Sequence, residues 1–248
     1  MHRFASPAQF QRVSKYALPL SMLVALVCAV VGLYLAIVVA PDDYQQGAMV
    51  KVMYIHVPAA WMSSAAYGFM VLMSASFLVW RHTLADVLAR SAAPVGAVFA
   101  LITLVTGMLW GKPTWGAYWV WDARLTSMLI LLLLYMGYMG VANAGGYDER
   151  TRVATAWIAI VGGINLPIIK FSVDWWNSLH QPASILRAGG PSIDPSMLQP
   201  LLLMIASFSA LFIALVLARA GTMLKETKLH RLQIQRIARK NAAIESDA

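Results

Sequence analysis

The chain contains little charge and a single cysteine. Of its 248 residues only 12% are charged while 60% are hydrophobic, a balance that ordinary soluble domains do not show. Cys28 has no second cysteine with which to form a disulfide or a CxxC redox pair, and a CxxCH motif is absent. A GxxxxGK[ST] phosphate loop is also absent, so any ATP hydrolysis that the protein depends on would belong to a partner.

Long apolar windows take the place of the missing charge. Six windows are free of charged residues, and each has close to the ~20 residues that an α-helix needs to cross the hydrocarbon core. The first window lacks a small-residue cleavage site and is expected to stay as a span. The sequence therefore predicts an all-α membrane protein with six transmembrane helices, at about 17–40, 57–80, 91–110, 125–145, 153–171 and 197–218.

The basic residues divide unequally between the two sides that six spans create. Fourteen lysines and arginines fall on the side of the termini and five on the other. Because Lys and Arg concentrate in cytoplasmic segments, both termini are predicted to be cytoplasmic. The net charge of +8 then reflects membrane topology, and no nucleic-acid partner is predicted. The outward connections are about 41–56, 110–124 and 170–196.

A basic cytoplasmic tail, residues 221–248, follows the six-span domain of residues 1–220. Leucines and isoleucines recur there loosely at helical intervals, at Leu224, Leu229, Leu232, Ile234 and Ile237. This pattern suits an amphipathic helix on anionic membrane lipid, or a docking segment for a cytoplasmic subunit. It equally suits a solvated tail that only sets topology.

Histidine and tryptophan gather on the predicted outer side. His56 lies in YIHVPAAW at the start of the second span, and His180 lies in DWWNSLHQPAS before the sixth. Seven of the nine tryptophans share this side: Trp61, Trp110, Trp115, Trp119, Trp121, Trp175 and Trp176. An aromatic belt is the simple explanation, but a belt normally marks both membrane interfaces. The asymmetry favours a binding site that contains the two histidines.

Two imidazoles beside a broad aromatic surface suit haem better than zinc. Zinc sites usually require three or four ligands, and the outer carboxylates lack the spacing of a known zinc motif. Haem iron takes imidazoles on opposite faces, and the flat porphyrin packs well on indole rings. Its propionates would attract a cation, and Lys112, Arg124 and Arg187 are the candidates.

The stretch WGKPTWGAYWVWD, residues 110–122, holds four of the tryptophans. Gly111, Pro113 and Gly116 argue against one long helix and predict an aromatic loop on the outer face. Asp122 is predicted to cap the fourth span. Arg124 is assigned equally to a lipid headgroup or to a propionate.

The same stretch resembles the tryptophan-rich WWD domain of membrane haem-handling proteins. With IHVPAAW at 55–61 and WWNSLHQ at 175–181, the chain is similar to the CcmC family of cytochrome c maturation over nearly its whole length. The resemblance implies that haem b is a transient cargo with His56 and His180 as axial iron ligands. It places the ring among the residues of the WWD stretch, namely Trp110, Trp115, Trp119, Trp121, Asp122 and Arg124.

The resemblance also implies a cellular role. A CcmC-like protein binds haem at the periplasmic face of the bacterial inner membrane and delivers it to the haem chaperone CcmE. It works beside the transporter subunits CcmA and CcmB and the small protein CcmD. The expected role is accessory to covalent haem attachment, and no catalytic residue is predicted.

Two other functions compete with haem delivery. A permease subunit that passes a small amphipathic solute would need polar or charged residues facing a cavity. The predicted spans contain Asn143, Asn165 and several Ser and Thr, but no buried acid or base is expected in them. Asn165 and Pro167 predict a broken or kinked fifth helix. An integral-membrane enzyme is the third reading, and no general acid or base supports it.

Overall fold

A computed structural model describes residues 6–146, 148–176, 178–180, 185 and 189–246. These residues form seven α-helices. The first is followed by a π-helical turn, Leu35–Val39, and the second is preceded by a 3-10 helix, Ala48–Val52. The helices are α1 Pro7–Tyr34, α2 Met53–Trp80, α3 Thr83–Trp115, α4 Ala123–Gly145, α5 Glu149–Gly162, α6 Asn165–Trp175 and α7 Pro195–Ser246.

Six helical segments are long and apolar enough to cross a membrane, which confirms the predicted number of spans. The segments extend beyond the predicted bounds because polar residues continue several helices past the apolar windows. The candidate spans are Pro7–Val39, Ala48–Trp80, Thr83–Trp115, Ala123–Gly145, Glu149–Trp175 and Pro195–Leu229.

The centre of the bundle is formed by α2, α3 and α4, while α1 packs mainly on α7 and leaves most of its apolar surface exposed. Small residues let the central helices approach closely. Gly96 of α3 receives the Tyr135 ring of α4, and a Cβ at position 96 would collide with the Tyr135 hydroxyl. That hydroxyl donates to the Ser63 carbonyl of α2 at 2.7 Å. One tyrosine thus joins three helices.

The fifth span is broken, as predicted. α5 ends at Gly162 and α6 begins at Asn165, so the span consists of two short helices in succession. Asn165 Nδ2 donates to the Ser127 carbonyl of α4 at 2.9 Å. The amide at the break therefore bonds to a neighbouring helix inside the bundle, as polar groups in a membrane require.

As predicted, no single helix passes through the whole WWD stretch, but the break comes at Gly116 and not at Gly111 or Pro113. α3 continues through Gly111 and Pro113 and ends at Trp115, where Gly116 adopts the left-handed conformation at φ 78°. Pro113 lies in the last turn, so the helix loses a backbone bond only where it is about to end. The non-helical part of the stretch is limited to residues 116–122.

The last helix passes the predicted end of the domain without a break. α7 contains 52 residues and continues from the sixth span to Ser246. The basic tail is therefore helical, and its contact with lipid or with a cytoplasmic subunit stays a prediction.

A buried ionic cluster lies at the end of the bundle where α3 and α5 begin. Arg90 Nε donates to Asp86 Oδ1 at 3.1 Å, and Arg152 Nε lies 3.5 Å from Asp86 Oδ2. Arg90 Nη1 also donates to the carbonyls of Ala142 and Gly146 near the end of α4. The expectation that the spans hold no buried acid or base is thus wrong, because α3 begins at Thr83 and includes Asp86 and Arg90.

Candidate functional site

The opposite end of the bundle, which we call the aromatic end, gathers the connections α1–α2, α3–α4 and α6–α7. Trp110 at the end of α3 packs against a buried cluster that includes Val50 and Tyr54 from the start of the second span. Ile185 and Ile193 from the α6–α7 connection pack against the same cluster. Apolar packing thus brings the three predicted outward connections to one place.

His56 lies in the second turn of α2 and faces α3. Its Nδ1 is 2.9 Å from Thr106 Oγ1, while the Thr106 hydroxyl donates to the Ile102 carbonyl at 2.6 Å. Because the threonine proton is already used, His56 Nδ1 carries the hydrogen and Thr106 accepts it. A Cβ at Gly107 would lie 3.1 Å from His56 Cε1, so glycine makes room for the ring.

His180 lies in the α6–α7 connection and is held by Asp122. Its Nδ1 is 3.0 Å from Asp122 Oδ2. Ser178 Oγ donates to the same oxygen at 2.7 Å and accepts from the His180 backbone N–H at 3.1 Å. The Trp115 ring stands edge-on to the imidazole, with ring centroids 4.8 Å apart. A carboxylate can only accept, so His180 Nδ1 carries the hydrogen.

Asp122 connects the start of α4 to His180 and Ser178. Its Oδ1 accepts from the Leu125 backbone N–H at 2.8 Å, which confirms the predicted helix cap. Its Oδ2 faces His180 and Ser178, and only 7% of its side chain is exposed. Burial alone raises the pKa of Asp122, but the hydrogen bonds from Leu125, Ser178 and His180 together lower it. The group is therefore a carboxylate at neutral pH.

The imidazole of His180 is neutral under the same conditions. Burial lowers the pKa of His180 more than the neighbouring Asp122 raises it, and the positive charge of Arg124 lowers it further. With Nδ1 of both rings engaged, Nε2 is the candidate donor atom of each imidazole to a ligand.

The tryptophans of the WWD stretch divide into two groups. Trp110 lies edge-on to His56 with centroids 5.6 Å apart, and its Nε1 donates to Gln46 Oε1 at 2.7 Å. Trp115 folds back over Gly111 and contacts His180. Trp119 and Trp121 pack edge-on against each other at 5.3 Å. Trp110 thus lies beside His56, and Trp115 lies beside His180.

Trp119 and Trp121 together offer a ligand both a polar group and an apolar surface. Trp121 is 76% exposed. Trp119 Nε1 is buried and has no hydrogen-bond partner among the residues that the structure describes. A buried N–H donor without a partner is costly, so Trp119 favours an acceptor from outside the described residues.

The three candidate cations have different surroundings. Arg124 is partly buried between the charges of Asp122 and Asp174, and its Nε is 3.4 Å from Ser172 Oγ. Lys112 is exposed and donates to the Gly116 carbonyl at 3.0 Å, where it caps the end of α3. Arg187 lies outside the described residues. Of Lys112 and Arg124, Arg124 is the cation whose positive charge acts on His180.

The aromatic end suits a metal already held by another ligand better than a bare ion. Within the described ranges, no three His, Cys, Asp or Glu side chains group closely enough to hold a metal ion. The two imidazoles supply only two nitrogen donors, whereas zinc sites need three or four ligands. Iron in a porphyrin already has four nitrogens and needs two axial donors.

Sequence reasoning missed the residues that orient the histidines. Thr106 and Gln46 each hydrogen-bond a ring of the site, and Ser178 hydrogen-bonds Asp122 and the backbone of His180. Thr106 is one threonine among several in an apolar span, so no local signal distinguishes it. Ser178 lies two residues before His180, and that proximity is the one signal the sequence offers.

The chain is similar to known proteins over most of its length. Residues 1–235 match the profile of a family described as CcmC, heme exporter protein C. Heme exporter protein C of Bradyrhizobium diazoefficiens is 50% identical over 235 residues, covering 95% of this chain and 89% of that protein. The protein of the same name in Escherichia coli (strain K12) is 41% identical over 221 residues, covering 88% of each chain. A putative cytochrome c biosynthesis ccmC-like mitochondrial protein of Marchantia polymorpha is 50% identical over 177 residues, covering 71% and 75%.

Proposed function

The chain belongs to the CcmC family of heme exporter proteins, and on that basis we propose that it binds haem between His56 and His180 and delivers it to the chaperone CcmE. Family membership makes it a multi-pass membrane protein that handles haem in cytochrome c biogenesis. The ligands, the side of the membrane and the recipient are the proposal.

One observation carries the ligand assignment. Both imidazoles have Nδ1 engaged by a side-chain oxygen, and both therefore present Nε2. Histidines that bind metals almost always donate their other ring N–H in this way, which fixes the tautomer and the ring orientation. The partners of His56 and His180 come from different helices, α3 and the start of α4, so the two rings are oriented independently.

The surroundings supply the other features that a porphyrin needs. Trp110 and Trp115 give apolar walls beside the histidines. The unpartnered Trp119 Nε1 can donate to a propionate. Arg124, whose charge reaches His180, can pair with a propionate. Haem b bound here is a cargo that must leave, so partial exposure of the site suits its function.

The membrane side follows from charge. Fourteen of the nineteen basic residues lie on the side of the termini, which assigns the termini to the cytoplasm and the aromatic end to the periplasm. Haem is then presented at the outer face of the inner membrane, where CcmE receives it. CcmA, CcmB and CcmD are the proposed partners, with ATP hydrolysis assigned to a partner chain because this one lacks a phosphate loop.

The chemistry required of this chain is coordination and orientation. His56 and His180 hold iron, the aromatic side chains exclude water, and Asp122 keeps His180 in one tautomer. Covalent attachment takes place on the chaperone, so the chain is an accessory to it. We therefore assign no catalytic residue.

The test is the haem content and spectrum of the purified protein. Wild type is expected to give the absorbance and resonance Raman spectrum of iron with two imidazole ligands. The double variant His56→Ala, His180→Ala is expected to lose bound haem. His82→Ala, which changes a histidine before α3 at the opposite end, serves as the matched control and is expected to keep the wild-type spectrum. An unchanged spectrum in the double variant would disprove the ligand assignment.

Delivery requires a separate measurement. Trp119→Ala with Trp121→Ala is expected to weaken haem retention and transfer to CcmE while membrane topology stays intact. If that variant loaded CcmE at the wild-type rate, the Trp119–Trp121 pair would have no part in delivery. A permease would instead retain solute passage after loss of both histidines.

A further inference from the structure

The two histidines differ in the group that holds Nδ1. His180 donates to a carboxylate, whereas His56 donates to a threonine hydroxyl. We propose that the two are unequal ligands, with His180 retaining haem iron and His56 releasing it first when the cargo is handed on. This inference rests on the proposed function, because it assumes that both residues bind the iron.

The carboxylate makes His180 the stronger electron donor. A hydrogen bond from Nδ1–H to an ionised oxygen is about twice as strong as one between neutral groups, and it shifts electron density toward Nε2. Asp122 cannot turn away easily, because Leu125 N–H and Ser178 Oγ hold its two oxygens. Its side chain is only 7% exposed, so water screens the interaction little.

The hydroxyl leaves His56 a weaker donor. Thr106 is uncharged, and its own proton is given to the Ile102 carbonyl. A neutral acceptor orients the ring without adding negative charge to it. Seated on Gly107 and beside Trp110, the ring is well positioned. His56 therefore meets iron in the correct geometry but binds it with less electron donation.

Backbone entropy acts in the opposite direction. His56 lies on a helix, whereas His180 lies in a connection between helices, where fixing the backbone on binding costs conformational entropy. Asp122 offsets this cost because it joins His180 to the first turn of α4. Loss of a partner that holds a metal-ligating histidine typically costs about 10- to 100-fold in metal affinity. The difference between the two partners is expected to lie within that range.

Release at His56 is a balanced ligand exchange. The Nε2–iron bond breaks with its electron pair left on His56, and a nitrogen donor of the recipient supplies the new pair. The iron keeps its oxidation state, and no proton moves. His180 remains bound until that exchange is complete.

The first test compares the single variants of the full chain, purified with haem. Loss of haem to excess apomyoglobin is timed for His56→Ala and for His180→Ala. We expect His180→Ala to release haem about 10- to 100-fold faster than His56→Ala. Equal rates, or faster release from His56→Ala, would overturn the inference while leaving two-histidine ligation intact. Haem retained by the double variant would instead overturn the proposed function.

The second test changes only the groups behind the ligands. Asp122→Asn keeps the helix cap through Oδ1, but it places an N–H donor where Oδ2 accepted from His180, so the ring loses its acceptor together with the negative charge. Thr106→Val removes the hydroxyl with little change in shape. We expect Asp122→Asn to lower the affinity for ferric haem about tenfold relative to the affinity for ferrous haem. This change raises the reduction potential of the bound iron by about 59 mV. A larger shift from Thr106→Val than from Asp122→Asn would contradict the assignment.

Discussion

Each end of the bundle holds one buried carboxylate, and the two are used in different ways. Asp86, at the end opposite the tryptophans, lies between Arg90 and Arg152 with 3% of its side chain exposed. Asp122, at the aromatic end, caps α4 and holds His180 and Ser178 with 7% exposed. One carboxylate compensates permanent charges, and the other orients a group that must bind and release.

The difference shows where the chain needs stability and where it needs selectivity. Around Asp86 the described contacts join α3 and α5 with the end of α4, so the ion pairs tie helices together. Around Asp122 the contacts engage Nδ1 of His180, so Nε2 carries the lone pair of the ring. A site for a cargo needs such a donor atom, while a helix junction does not.

Removing Asp86 tests the first half of the comparison and has the largest expected effect. Asp86→Ala removes the carboxylate that pairs with both Arg90 and Arg152, and breaking a buried pair typically costs about 3–5 kcal/mol. We expect the thermal unfolding midpoint of the purified protein to fall sharply, with much less protein in the membrane. An unchanged midpoint would mean that the cluster is solvated and stabilises nothing.

Removing Asp122 is expected to cost less in stability and more in binding. Asp122→Ala deletes the cap of α4, worth about 0.5–2 kcal/mol, and frees His180 to turn. The unfolding midpoint should fall moderately while haem per folded protein falls strongly. Asp122→Asn, which keeps the cap, should have an unfolding midpoint close to that of the wild-type protein. If Asp86→Ala and Asp122→Ala reduced haem per folded protein equally, the division between the two ends would be wrong.

Acid should loosen the aromatic end of the haem-free protein. The pKa values of His180 and Asp122 are both lowered by the fold, so protonation of either favours the unfolded chain. Their stabilisation is complete above the ordinary histidine pKa of about 6.5 and is lost as pH falls through the lowered values. Unfolding midpoints measured from roughly pH 8 to pH 4 should decline. Asp122→Asn removes a carboxylate that raises the pKa of His180, so it should make the decline below about pH 6.5 steeper, and a profile identical to wild type would refute the coupling.

The smallest effect is expected at a surface ion pair near the Asp86 cluster. Arg81 and Glu149 form a salt bridge whose side chains are 58% and 62% exposed. Pairs in such surroundings contribute about 0–1 kcal/mol, because water screens the charges and two long side chains lose freedom. Glu149→Gln should therefore leave the unfolding midpoint almost unchanged. A drop as large as that of Asp86→Ala would show that burial does not separate the two pairs.

Local patterns were sufficient to predict the spans and several of their ends. Apolar windows gave the six helices, Asp122 was expected at the start of α4, and Asn165 with Pro167 indicated the broken fifth span. These features depend on neighbours in the sequence. Arg90 shows the limit, because counting it as a topology charge hid its burial against Asp86.

The site itself depends on distant contacts. His180 and Asp122 are 58 residues apart, and His56 and Thr106 are 50 apart. Such pairs form only when the helices have packed, so no window of sequence shows them. The continuation of α3 through Gly111 and Pro113 has a similar cause, because packing in a bundle tolerates helix breakers that a propensity argument rejects.

α7 has a mechanical consequence for the aromatic end. Met197 and Leu201, near its beginning, pack with the cluster that contacts Trp110. Its 52 residues extend about 78 Å at 1.5 Å per residue, more than twice the ~30 Å hydrocarbon core. A tilt of one degree about the Trp110 contact moves the other end by about 1.4 Å. A partner that pulls on the tail would thus act on a helix whose other end packs with the cluster beside Trp110, at the candidate haem site.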